Sequence, residues 1–136
     1  MYKHILIATD DSELARKGLE HGLALAKPLG AKVTVLTVSA PLRPELASAA
    51  RQQIDEFIKD RITSIEQRAS ENGVTVDLEH EIDVSPAAAI VRLAKLKGCD
   101  LIVMSSHGRR GIQKVVLGSQ TSEVLASTTI PALVIR

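Results

Sequence analysis

The chain alternates between two hydrophobic periods, and this restricts its fold more than any other feature. Ile5-Leu6-Ile7-Ala8, Leu101-Ile102-Val103-Met104 and Ala132-Leu133-Val134-Ile135 are short, continuous apolar runs. Lys32 to Val38 is β-branched and alternating, and Val74 to Ile82 alternates more weakly, with a polar content that suits a sheet edge. Runs this short, between turn signals, read as strands of a parallel sheet buried on both faces. Helical spacing fills the gaps. Ser12 can cap a helix with apolar positions at Ala15, Leu19, Gly22, Leu23 and Ala26, closed by Pro28 and Gly30. A second helix from about Glu45 to Glu71 carries the stripe Ile54, Ile58, Ile62, Ile65, Ala69 and stops at Asn72-Gly73. Ser85-Pro86 is a capping serine with proline at the first helical position, ahead of Ala87, Ile90, Val91 and Ala94. That helix ends at Lys95, Lys97 and Gly98, and a last short one runs from about Ser119 to Ala126.

The resulting order, βαβαβαβαβ, predicts an α/β fold: a single doubly wound, five-stranded parallel sheet with right-handed crossovers. The whole chain, 1–136, is expected to form one domain, with residues 39–52 as its one flexible loop. Composition agrees, at 45% hydrophobic and 24% charged residues. Tyr2 and Phe57 are the only aromatics, so the core must be aliphatic, and a nucleic-acid binder that stacks bases is disfavoured. A net charge of +1 gives no strong field toward nucleic acid or membrane. Cys99 is the sole cysteine, which leaves no internal disulfide and no cysteine-rich metal site. Burial as a small hydrophobe is its expected fate. With no signal-peptide layout at Met1-Tyr2-Lys3-His4 and no apolar run near the roughly 20 residues of a membrane span, a cytoplasmic location is expected.

Sheets of this kind bind ligands at the carboxyl ends of strands, where the strand order reverses. With the order 3-2-1-4-5, that crevice lies between strands 1 and 4. It is bordered by Ala8-Thr9-Asp10-Asp11-Ser12 and by Ser105-Ser106-His107-Gly108-Arg109-Arg110-Gly111. The second segment continues to Gly118-Ser119-Gln120-Thr121. Glycines let backbone N–H groups approach phosphate oxygens, and a helix starting near Ser119 aims its unpaired N–H groups at the same place. Two other phosphate-binding motifs are excluded. Thr9-Asp10-Asp11-Ser12 lacks the glycines of a dinucleotide fingerprint, and no lysine precedes Ser119 as a Walker A loop requires.

Over essentially its whole length the sequence resembles the universal stress protein A family. The likeness rests on Gly108-x9-Gly118-Ser119, on Ile5-Leu6-Ile7-Ala8-Thr9-Asp10, and on the closing Ser127-Thr128-Thr129-Ile130-Pro131-Ala132-Leu133-Val134-Ile135. ATP-binding members carry Gly-x2-Gly-x9-Gly-Ser/Thr after the fourth strand, and here Ser105 stands in the first glycine's place. The resemblance implies a Rossmann-like fold of the adenine nucleotide alpha hydrolase type and a stress-response role. It implies an ATP site, with AMP or ADP as alternatives. Asp10 would then accept ribose hydroxyls, and Ala8, Thr9 and Val38 would border the adenine. Ser105, His107, Gly108, Gly118, Ser119, Gln120 and Thr121 would line the phosphates, with Mg2+ or Mn2+ bridging phosphate oxygens rather than held in a protein cage. It also implies a homodimer through the last strand, Ala132 to Arg136, whose open edge needs a cover.

Other residues carry less. Arg109 and Arg110 read first as a solvated loop. His4, His21, His80 and His107 have no metal-ligand spacing. Asp10-Asp11 matches the acidic pair of phosphoryl-receiver domains, but Asp83 is a poor acceptor and no lysine follows the fifth strand. No nucleophile, base and orienting group assemble, so slow ATP hydrolysis or self-phosphorylation on Ser105, Ser106 or Ser119 is the most chemistry expected. Two functions remain open: a nucleotide-binding stress protein, and a dimeric scaffold of the same fold without nucleotide. Ser105 is the residue that divides them.

Overall fold

The computed structural model describes residues 1–10, 12–107 and 117–136. Within them lie β1 (His4–Ala8), α1 (Glu13–Leu29), β2 (Lys32–Ser39), α2 (Pro44–Glu71), β3 (Val76–Ile82), α3 (Pro86–Leu96), β4 (Leu101–Ser105), α4 (Ser119–Ser127) and β5 (Ala132–Ile135). Every strand pairing is parallel and the order is β3-β2-β1-β4-β5. The switch point therefore falls between β1 and β4, as expected for the order 3-2-1-4-5.

Successive strand residues feed opposite cores. Ile5, Ile7, Val33, Val35, Leu101 and Val103 meet Leu19, Leu23 and Ala26 of α1 and Ile65 and Ala69 of α2. Leu6, Leu36, Ile102 and Met104 meet Ala87, Ile90, Leu93 and Ala94 of α3 and Val124 of α4. A one-residue slip of β1 would exchange the two sets, so two cores fix its register. Cys99 lies in the α3-side core, where burial, aided by the Asp100 charge, pushes its thiol up to about 11. At the bottom of the sheet Asp100 ties β4 to β1. Its carboxylate accepts the N–H groups of Lys3 at 2.9 Å and His4 at 3.0 Å. Those bonds, His4 first, hold its pKa below the ordinary value.

Helix α1 starts where the sequence says it should. Ser12 accepts the Ala15 N–H at 3.1 Å, and Gly30, at φ 61°, closes the last turn in the left-handed region. Its glycines set how near it lies to the sheet. A Cβ on Gly22 would fall 2.5 Å from Cδ1 and 2.8 Å from Cγ1 of Ile7.

Helix α2 differs from expectation at its start. Pro44 opens it at the first helical position, so the anticipated loop of 39–52 shrinks to residues 40–43. At about 1.5 Å per residue its 28 residues extend far beyond what the seven residues of β3 can cover. Among its described side chains only Arg61, Ile65 and Ala69 are buried, while Leu46 and Phe57 are exposed. Strand β3 begins at Val76 rather than Val74, because the Val74 N–H caps α2 by donating to Ala69 O at 2.9 Å. It is an edge strand, as its polarity suggested. On its α3 face Lys97 bridges Asp77 and Glu79 at 2.8 and 2.7 Å, and Arg92 reaches Glu81 and Asp83 at 3.4 and 3.3 Å. No helix among the described residues is long and apolar enough to cross a membrane.

Candidate functional site

Two chain segments leave the sheet at the switch point. On the β1 side, Ala8 and Val38 pack against the α3-side core at the ends of β1 and β2. Thr9 is buried and its N–H donates to Leu36 O at 3.0 Å. Asp10 Oδ1 accepts the Ser12 N–H at 3.0 Å, which fixes the carboxylate beside the start of α1.

On the β4 side, Ser105, Ser106 and His107 are bound to the start of α4 by several hydrogen bonds. The Gly118 N–H donates to Ser106 O at 2.7 Å. Thr121 Oγ1 lies 2.9 Å from Ser105 O and 3.2 Å from Ser106 O, so its hydroxyl faces inward. What Thr121 offers the crevice is its backbone N–H. Ser105 Oγ donates to His107 O at 2.7 Å, and the Ser106 N–H donates to Ile135 O at 2.8 Å, tying this turn to β5. Ser106 Oγ also pairs with His107 Nδ1 at 3.2 Å. Ser105 is only 8% exposed, with its hydroxyl turned back onto its own chain. Gly118 has a packing reason to be glycine: a Cβ there would lie 3.0 Å from Ser106 O and 3.4 Å from His107 Cα. Gly108, Arg109, Arg110 and Gly111 lie outside the described residues.

The helix starts around the crevice differ in what they leave unpaired. Ser12 caps α1 and Ser85 caps α3, each through its side chain. The next N–H of α3, at Ala87, donates to Gln120 Oε1 at 2.9 Å, so Gln120 joins α4 to α3 and leaves its amide NH2 for other partners. Helix α4 starts at Gly118, which has no side chain to cap it, and exposed Ser119 follows. Its first-turn N–H groups therefore face the crevice without a side-chain cap. Helix α2 also starts without a side-chain cap, but it follows β2, on the other side of β1 from the crevice. Sequence reasoning named Ser106 only as a border residue and candidate phosphorylation site. It did not foresee the bonds of Ser106 to Gly118 and Ile135, or Gln120 as a partner of α3, since these partners are distant in the chain. No group of three His, Cys, Asp or Glu side chains among the described residues could hold a metal.

The profile of the universal stress protein family matches residues 1–136. The chain belongs to the universal stress protein family. Universal stress protein MJ0531 of Methanocaldococcus jannaschii is 30% identical over 142 residues, spanning 100% of this chain and 83% of that one. Among solved structures, protein MJ0577 of the same organism superposes with a TM-score of 0.86 at 29% identity, covering 99% of this chain and 96% of that one. A universal stress protein solved in complex with cAMP has a TM-score of 0.80 at 21% identity, covering 99% of this chain and 97% of that one. At that identity the last comparison speaks for the fold.

Proposed function

We propose that this universal stress protein binds an adenine nucleotide, ATP before AMP or ADP, at the carboxyl ends of β1 and β4. Asp10 takes the ribose hydroxyls, and Ala8, Thr9 and Val38 border the base. The phosphates rest on the first-turn N–H groups of α4, at Ser119, Gln120 and Thr121, with a divalent ion carried by the phosphates. The observation that carries this reading is the start of α4 at the switch point, without a side-chain cap, where α1 and α3 are both capped. The hydroxyl of Ser105 is compatible with it, since it is turned back onto His107 O. Pairing of β5 with its copy completes the proposed molecule.

Calorimetry with ATP and Mg2+ tests the reading, with Ser119→Asp as the informative variant. Ser119 is exposed at the first position of α4, so an aspartate there suits the helix dipole while repelling phosphate. The parent protein is expected to bind ATP, and the variant to bind at least about tenfold more weakly with no loss of melting temperature, tenfold being about 1.4 kcal/mol. No heat at millimolar ATP, or equal affinity in the variant, overturns the reading. The first of these results would leave a scaffold acting through its β5 edge.

A further inference from the structure

At the other side of the sheet, beneath α2, lies a polar cluster that the nucleotide reading does not use. His80 is on β3, in register with Thr37 of β2 and two residues beyond Leu78, which packs against the α1/α2 core. Its Nδ1 lies 2.6 Å from Thr37 Oγ1, and Thr37 is only 3% exposed. Its Nε2 is buried with no hydrogen-bond partner. Above it is α2, where Arg61, one turn before the core residue Ile65, is itself buried. The Arg61 guanidinium stacks 4.6 Å from the centre of the Phe57 ring, on the same helix.

A neutral imidazole suits this place. With its proton on Nδ1, donated to Thr37, the ring presents only a bare lone pair at Nε2, and an unmet acceptor is tolerated better than an unmet donor. A second proton changes both conditions. It puts a buried N–H at Nε2 with no acceptor, and a partly buried cation beside Arg61. Among the described residues, the charges acting on His80 are Arg61 from α2 and Glu81 on its own strand, and β2 contributes only the neutral Thr37. We propose that His80, bonded to Thr37 beneath Arg61, is a proton-operated latch: α2 stays packed on β3 while the ring is neutral and is released when it is protonated. Burial first, and the Arg61 charge second, lower the His80 pKa against the opposing pull of Glu81, in keeping with that direction.

The element released is the one least anchored. Arg61, Ile65 and Ala69 are the buried residues among the described side chains of α2, and none before Arg61 is buried. Acidification therefore loosens α2 while α1 stays in place.

Titration of the His80 ring proton by NMR, with hydrogen exchange across α1 and α2 corrected for intrinsic rates, tests the latch in the intact chain. The expected midpoint lies below 6.5, and α2 amides, but not α1 amides, lose protection between pH 7.5 and 5.5. His80→Gln keeps a neutral polar side chain and should remove that pH-dependent loss. Arg61→Met should move the His80 midpoint upward, toward the ordinary value. A parent midpoint at or above 6.5 overturns the latch, as does an unshifted midpoint in Arg61→Met or an unchanged α2 response in His80→Gln. The parent titration and Arg61→Met decide the matter even if His80→Gln fails to fold.

Discussion

Two glycines one turn apart on α1 should respond in opposite senses to the same substitution. Alanine in place of glycine raises helix stability by up to about 1 kcal/mol when nothing obstructs the new methyl group. At Gly18 nothing does: the added Cβ would lie 3.5 Å from Ser105 N and 3.6 Å from the Met104 carbonyl carbon, ordinary contact distances. At Gly22 it would lie 2.5 and 2.8 Å from two carbons of Ile7, which is fully buried in a close-packed interior. Such overpacking costs about 1–3 kcal/mol, which outweighs the helical gain. Gly22→Ala is therefore expected to lose about 1–2 kcal/mol, or about 3–6 °C in melting temperature, while Gly18→Ala holds or gains. Urea and thermal unfolding of the two variants beside the parent measure this directly. If Gly22→Ala is as stable as the parent, or Gly18→Ala loses as much, then α1 does not lie on β1 as described.

Asp100→Asn should lower the melting temperature at pH 7, because asparagine replaces the carboxylate that receives the Lys3 and His4 N–H groups. The folded pKa of Asp100 is depressed, so its contribution is complete above 3.8 and disappears as pH falls through the folded value. Melts from pH 7 to pH 2 should show the gap between parent and variant closing, and a constant gap would refute the assignment. For the proposed dimer, the carbonyls of Pro131 and Ile135 point at β4, which leaves the backbone N–H of Val134 on the open edge. Val134→Pro should then sediment as a folded monomer where the parent sediments as a dimer at micromolar concentration. A monomeric parent, or a dimeric variant, would refute edge pairing.

The alternation of periods carried most of the fold because each element buries a face that its own sequence can announce. The apolar run 101–104 and the 3-and-4 spacing of Ala15, Leu19, Leu23 and Ala26 are local signals, and the structure uses each as read. The stripe on α2 was harder. Ile54 and Ile58 share the spacing of Ile65 and Ala69, yet they lie beyond the part of the helix that the sheet can cover, and Arg61 is buried instead. Spacing registers which residues share a face, not how far the opposite surface extends. At the candidate site, position was legible and orientation was not. Nothing local in Thr121 or Gln120 says that one hydroxyl turns inward to Ser105 and Ser106, or that one amide oxygen meets Ala87 across the fold.

The two edges of this sheet carry opposite chemistry. Strand β3 carries three acids, Asp77, Glu79 and Glu81, against the two cations Lys97 and Arg92, so a second copy approaching there would meet like charge. Strand β5 is apolar, and its Leu133 is exposed. A sheet with two receptive edges can add copies without limit and grow into a fibre, whereas one with a single receptive edge closes after one addition, about a twofold axis. The acidic ladder on β3 thus bears on assembly as well as on folding. For the proposed dimer, it disfavours growth beyond two copies by strand pairing.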